Sequence, residues 1–542
     1  MNINYMKFIK KYWQPSILVL VIIIAIILRF SNIFKLQFFT YDQSRDALFV
    51  KRIIVDREFR LLGTQTSLPG MYLPPYYFYT IAPVLWIFGL NPVGIDFYSA
   101  LIGVLTVPLV YYVANKLFGK PAGIFSAGLF AVSPIVVELT RRAWNPNTLP
   151  FFILVSFFFV YQYFKEKKDR YFLLAFGFYG YSLSLHFGAW TLAPLFIILW
   201  LICLVKEKKV KTAIGALLLI FFFISPLLLF ELRHNFFLTS QAKVFFFDGN
   251  HIGMGINNIF ESFMASLVAI FVILISGKIT LGYGAPLEFG RKLKELFSFS
   301  QPISVVAQKP FSLSFQWWGL AIFFIILISS IYFFDKIFRK EKFKNSLSLP
   351  LILIWIWIIW GVFVSLLYSG KFFFFYYLYL FPAPILLFGL IGKIAWEKKS
   401  LRIISLGVLF LIIFFHLRYT TVFSQGWRDI SDLRAVSKIV SENIGKQELF
   451  NLATIQKDLD RWDRNSVDYR YFVETFGKRR ALDWYPEDYE RANILFVIDE
   501  TGKTDPIGSN IMEIQKFSPN KIIGRWETGK NIVIYKIDKK GK

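Results

Sequence analysis

The sequence predicts a polytopic α-helical membrane protein of about eleven transmembrane helices, followed by a small α/β domain. Three observations predict this class. The chain of 542 residues is 56% hydrophobic and 19% aromatic but only 18% charged, outside the usual range of soluble domains. Apolar runs of spanning length recur up to about residue 418, among them Ile17–Leu28, Ile214–Phe230, Leu320–Phe334, Leu351–Leu367 and Ile403–Phe415. From about residue 419 onward polar helical patterns alternate with short strand-like runs.

The first apolar run follows Lys7, Lys10 and Lys11, as a signal peptide would, but no small-residue cleavage site follows at Leu28-Arg29-Phe30. It is therefore expected to stay as an uncleaved first helix. The net charge of +25 does not describe a nucleic-acid surface, because the basic residues fall in short clusters between apolar runs. These clusters are Lys116/Lys120, Lys165–Arg170, Lys206–Lys211, Lys336–Lys344 and Lys393–Arg402. The positive-inside rule puts them, with the N-terminus, in the cytoplasm. Segments 35–94, 138–147, 232–313 and 369–371, and everything after about residue 418, then face outward.

The same parity bears on two ambiguous runs. Residues 75–90 would flip the next three clusters if they crossed, and Pro83 interrupts them, so an interfacial or re-entrant helix is expected. Residues 263–277 need either a re-entrant element or a second crossing nearby. Two domains result: a membrane domain over 1–418, with the outer loop 35–94, and an extracytoplasmic α/β domain over 419–542. In the latter, helices are expected at Asp429–Ile444 and Glu487–Ala492, and strands at Leu449–Ala453, Ile494–Ile498, Ile522–Trp526 and Ile532–Tyr535. Cys203 has no second cysteine to pair with, and His186, His234, His251 and His416 lack metal-ligand spacing, so neither a disulfide nor a metal or other cofactor is predicted.

Chemistry is expected where charge persists at a membrane edge. Asp42 and Asp46 are four residues apart, which on a helix puts them on one face beside Arg45. One carboxylate suits a general base and the other an orienting group. Thr40-x-x-Gln43 is equally a capping-box pattern, and a capped helix would be a rigid mount for an acid. Arg141 and Arg142, in an outward turn near Asn145, suit a lipid phosphate, with pairing to Glu138 or snorkelling as the alternative. Lys371 is a further outward cation before a run of aromatic residues. Tyr76 and Tyr77, after Pro74-Pro75, offer ring faces and hydroxyls to a sugar. Acids on one loop and cations on two others suit group transfer from a membrane-bound phosphate to an external acceptor.

These residues carry a resemblance. Tyr41-Asp42-Gln43 in the first outer loop, Pro74-Pro75-Tyr76-Tyr77 before an apolar segment ending Phe88-Gly89, and Lys116-Leu117-Phe118-Gly119-Lys120 in the first inner loop follow in order. Ser133-Pro134 leading to Arg141 and Arg142, and Tyr376-Tyr377-Leu378-Tyr379-Leu380-Phe381-Pro382, complete the set. The chain thus resembles the GT-C class of integral-membrane glycosyltransferases, in the branch of the protein O-mannosyltransferases and aminoarabinose transferases. The resemblance implies an inverting hexosyl or pentosyl transferase of the plasma membrane, with a polyprenyl-phosphate-sugar donor, surrounding lipid and an extracytoplasmic acceptor as partners. It makes Asp42 the base. The mannosyltransferases follow that acid with Glu where this chain has Gln43, which leaves the role of Asp46 open. Arg45, Arg141, Arg142, Lys371, Tyr76, Tyr77 and Asn145 are the candidates for holding substrate and phosphate. A transporter of lipid-linked sugars, or a non-catalytic scaffold of envelope assembly, are the alternatives from other classes.

Overall fold

The computed structural model describes residues 3–34, 39–66, 70–248, 259–280, 312–339, 347–368, 373–423, 428–457 and 464–539. Six helices open the chain: α1 (Ile3–Phe30), α2 (Tyr41–Val55), α3 (Tyr76–Ile87), α4 (Val93–Phe118), α5 (Lys120–Val132) and α6 (Pro134–Thr140). Seven helices among the described residues are long and apolar enough to cross a bilayer, or nine if two sharply bent pairs each count as one span. That range is below the eleven expected partly because two apolar segments are short. The apolar part of α1 is Pro15–Phe30, and the helix Arg402–Arg418 has 17 residues.

The ambiguous runs separate by length. α3 has 12 residues. At about 1.5 Å per residue that is roughly 18 Å, well short of a hydrocarbon core about 30 Å thick. Ile259–Ser276 has 18 residues and is long and apolar enough to cross, and a crossing there calls for a second one nearby to keep Lys336–Lys344 inside. It runs into a two-stranded antiparallel pair, β1 (Gly277–Thr280) with β2 (Ser312–Phe315).

α5 and α6 form one of the bent pairs, with a 65° turn at Ser133–Pro134. Pro134 has no N–H to give the Phe130 carbonyl, so a helix here leaves polar backbone unpaired inside apolar surroundings. Arg29, fully buried at the end of α1, supplies the missing donors. Its guanidinium reaches the carbonyls of Ala131 at 3.0 Å and Phe130 at 3.2 Å, and the Thr140 hydroxyl at 3.0 Å. Gly103 on α4 makes the room, since a Cβ there would lie 2.9 Å from Arg29 Nε and 2.8 Å from Thr140 Cβ. The helix Pro382–Glu397 packs on α5 in the same small-residue manner, with Ser126 Oγ donating to the Ile385 carbonyl at 2.9 Å beside Gly389.

The C-terminal part contains a four-stranded sheet of β3 (Phe450–Ile455), β4 (Ile494–Asp499), β5 (Pro519–Glu527) and β6 (Val533–Lys539), in the order β3-β4-β6-β5. β3 and β4 are parallel and the other pairs antiparallel. β4 is buried at every position, as its unbroken apolar sequence requires of a central strand, whereas β5 largely alternates as an edge strand should. The helix Ile430–Glu442 starts at Asp429, whose Oδ1 accepts from the Ser431 N–H at 2.7 Å while Asp432 Oδ2 accepts from the Asp429 N–H at 2.8 Å. Just before it, Arg428 donates to the fully buried carboxylates of Asp468 at 2.7 Å and Glu500 at 3.0 Å. Two helices were not expected from the sequence, Val467–Thr475 and Met512–Phe517.

Candidate active site

The N-terminus of α2 is built by its own side chains. Gln43 reaches back so that its Oε1 accepts from the Thr40 hydroxyl at 2.7 Å and the Thr40 N–H at 3.3 Å. Ser44 Oγ donates to the Thr40 carbonyl at 2.6 Å. Gln43 is therefore a helix-capping group. It fixes the turn from which Asp42, Arg45 and Asp46 project.

Arg45 lies between the two acids. Its Nη1 is 3.0 Å from Asp42 Oδ1, and its Nε and Nη2 are 3.0 Å and 2.8 Å from Asp46 Oδ1. The Tyr41 ring lies 5.4 Å from the guanidinium carbon. A phosphate would have to compete with both carboxylates for Arg45, which makes this arginine the electrostatic centre of the acid pair. The acids differ in surroundings: the Asp42 side chain is 31% exposed and that of Asp46 only 3%. Asp46 Oδ2 is buried and makes no direct hydrogen bond among the described residues, though the Thr64 hydroxyl is near enough to favour the charged carboxylate. Burial pushes the Asp46 carboxyl up to about 6, with the Arg45 guanidinium opposing the rise and the Asp42 carboxylate adding to it.

Tyr77 extends the site inward. It is buried on α3 and lies within electrostatic reach of Asp46 and of Asp96, in the first turn of α4. Asp96 Oδ1 accepts from the Ala143 N–H at 2.6 Å, and its charge reaches Arg141. Arg141 is buried at the end of α6 and donates to the Ser31 carbonyl at 2.6 Å. Asp46 and Asp96 thus both act electrostatically on Tyr77, and Asp96 acts on Arg141. Asp96 was not among the residues the sequence brought forward. Its signal was the one used for Asp42, an acid at the edge of an apolar run, here after Asn91-Pro92.

The remaining candidates are placed elsewhere. Arg142 pairs with Glu138, one helical turn away, and the Glu138 carboxylate also accepts from the Thr421 hydroxyl at 3.0 Å. Asn145 Nδ2 donates to the Leu185 carbonyl at 2.5 Å, tying the turn after α6 to the segment that carries His186. The Tyr76 hydroxyl donates to the Phe222 carbonyl at 2.6 Å, on the helix Val210–Arg233. His186 Nδ1 accepts from the Gly188 N–H at 3.0 Å. Lys371 lies outside the described residues.

Comparison with known proteins adds fold and kinship. Residues 73–230 match the sequence profile of the dolichyl-phosphate-mannose-protein mannosyltransferase family. α2 lies upstream of that match. An uncharacterised protein of Aquifex aeolicus is 31% identical over 157 residues, 29% of this chain and 31% of that protein. The chain therefore matches about a third of that relative's length. ArnT from Cupriavidus metallidurans, crystallised with undecaprenyl phosphate, superposes with a TM-score of 0.55 over 97% of this chain and 98% of its own, at 11% identity. The oligosaccharyltransferase AglB from Archaeoglobus fulgidus, in complex with an inhibitory peptide and a dolichol-phosphate, gives 0.52 over 90% of this chain and 70% of its own, at 13% identity. The chain has the fold of the GT-C membrane proteins that ArnT and AglB represent, and its residues 73–230 carry the sequence signature of the mannosyltransferase family.

Proposed function

We propose that the protein is a glycosyltransferase that moves a sugar from a polyprenyl-phosphate-linked donor to an extracytoplasmic acceptor. The observation that carries this reading is the shared cation: Arg45 holds one half-buried and one buried carboxylate at the capped end of α2. In the proposed orientation the N-terminus is cytoplasmic, and α2 and the C-terminal domain face outward. Asp42, the accessible acid, takes the proton of an acceptor hydroxyl as that oxygen bonds to the anomeric carbon. The bond from that carbon to the phosphate oxygen breaks, and the electron pair leaves with the polyprenyl phosphate. Arg141 stabilises the charge that develops there, together with Lys371. One displacement inverts the anomeric centre. Asp46 grips Arg45 with two N–H contacts to a single oxygen and leaves Asp42 only one, so that Asp42 stays the freer base.

Mass spectrometry of envelope glycans from cells with and without the protein tests the reading and identifies donor and acceptor together. The expected result is loss of one sugar from one glycan class, restored by the wild-type chain but not by Asp42→Asn. Unchanged glycans, or full restoration by Asp42→Asn, would contradict it. For kinetics, purified protein is presented with a panel of undecaprenyl-phosphate-linked hexoses and pentoses, and release of undecaprenyl phosphate is followed.

A further inference from the structure

The two ends of α2 are charged in opposite senses. Asp42 and Asp46 stand at one end and Lys51 and Arg52 at the other, and both cations are buried. Lys51 meets Asp56, just past the helix end, at 2.9 Å, and both cations share Glu474, at the end of the helix Val467–Thr475 and more than 400 residues away in sequence. Glu474 Oε1 accepts from Arg52 Nε at 3.0 Å and Lys51 Nζ at 3.2 Å, and its Oε2 accepts from Arg52 Nη2 at 3.0 Å. Asp483, also in the C-terminal domain, adds a contact to Arg52 at 3.3 Å.

The same short helix touches two further segments of the site. Tyr471 and Phe472 pack edge-on against Phe39, the residue before the α2 cap, with ring centroids 5.4 and 5.5 Å away. The Tyr471 hydroxyl donates at 2.6 Å to the carbonyl of Leu90, which has a positive φ of 62° in the turn before Asp96. One helix of nine residues therefore contacts the start of α2, the end of α2 and the approach to α4.

Resting on the function proposed above, we infer that Glu474 is a positioning residue for the acid pair: the C-terminal domain sets the roll of α2 about its axis. Burying such charges is a poor way to gain stability, because desolvation offsets most of the attraction. What the arrangement supplies is direction. Arg52 meets Glu474 as a two-point fork, which fixes orientation where an apolar contact would allow sliding. The lever is short. Arg52 lies six residues beyond Asp46, about 9 Å along the helix. A roll of about 10° carries a carboxylate held roughly 6 Å from the axis through about 1 Å. Displacements of that size cost catalysis about 100-fold.

The test uses the full chain in detergent or nanodiscs and three variants. Glu474→Gln keeps shape and removes charge. Glu448→Gln breaks another ion pair of the same domain, Lys536–Glu448 at 2.8 Å, away from α2. Asp42→Asn probes the chemistry itself. The measurements are kcat and KM for release of undecaprenyl phosphate from the same donor panel, and deuterium exchange at residues 41–55. For Glu474→Gln the expected result is a kcat lower by about 10- to 100-fold, an unchanged KM and faster exchange confined to α2. Glu448→Gln should match wild type. Wild-type kcat and exchange in Glu474→Gln, with Asp42→Asn inactive, would overturn the inference and leave the function intact. Equal losses in Glu448→Gln and Glu474→Gln would also overturn it, by making the domain's contribution one of general stability. Wild-type turnover in Asp42→Asn would instead remove the proposed function beneath it.

Discussion

At its N-terminal end α2 sets two carboxylates against one guanidinium, all from its own turns. At its C-terminal end it sets two cations against Asp56, Glu474 and Asp483, the last two from the C-terminal part of the chain. At the second end Lys51 and Arg52 are both paired, and Glu474 takes three bonds. At the first end acid is in excess, and Asp46 Oδ2 is buried without a direct hydrogen bond among the described residues. Burial raises the carboxyl of Asp46 to about 6. Glu474 is subject to the same burial, but the bonds from Arg52 and Lys51 outweigh it and hold that carboxyl below its usual range. The contrast separates a fastening from a reactive site. Glu474 is held by several donors, whereas Asp46, which shares Arg45 with the proposed base Asp42, keeps one oxygen short of partners.

The comparison can be broken at either end. A large effect is expected from Arg45→Met, which removes the cation that both acids contact. Two facing carboxylates then remain, one must take a proton, and transfer should fall about 100- to 1,000-fold as in other losses of acid–base machinery. The rate of release of undecaprenyl phosphate measures this.

A second test is pH. In the wild type, transfer should climb as pH rises through about 6, because ionisation of Asp46 is what divides Arg45 between the two acids. Asp46→Asn should abolish that limb and slow transfer above it. The linked stability runs the other way: a carboxyl raised in the fold from 3.8 to about 6 favours the folded state most below 3.8, and that advantage is lost as pH rises through about 6.

The smallest effect concerns the fastening. Glu474 is lowered from 4.5, so its stabilisation is full above 4.5 and is lost as pH falls through its folded value. Deuterium exchange at 41–55 should therefore stay slow across the pH range in which Asp46 titrates and quicken only below about 4.5. Quickening near 6 would erase the distinction between the two ends.

How much of this could be read in the sequence depended on the distance between partners. The Thr40–Gln43 cap and the proximity of Asp42, Arg45 and Asp46 are within one helical turn and were legible. At Arg142 the sequence left pairing and phosphate binding as alternatives, and the structure pairs it with Glu138, four residues away. The sheet strands were also legible, because apolar runs such as Ile494–Ile498 announce a central strand. Arg29 was not, since its three acceptors lie more than 100 residues away and its need arises only from the break at Pro134. The helix Val467–Thr475 was missed for a local reason. Its nine residues are rich in Val, Tyr and Phe, which favour strands, and Ser466 before it adopts φ 57° and gives no cap. Its helicity comes from what it packs against, which includes the very segment it holds in place.

The most direct measurement is single-turnover transfer from the undecaprenyl-phosphate-sugar panel by Asp42→Asn beside wild type, each with its unfolding temperature. The account predicts a loss of about 100- to 10,000-fold, typical of removing a general base, with unfolding unchanged. Transfer at the wild-type rate by a folded Asp42→Asn protein would contradict it.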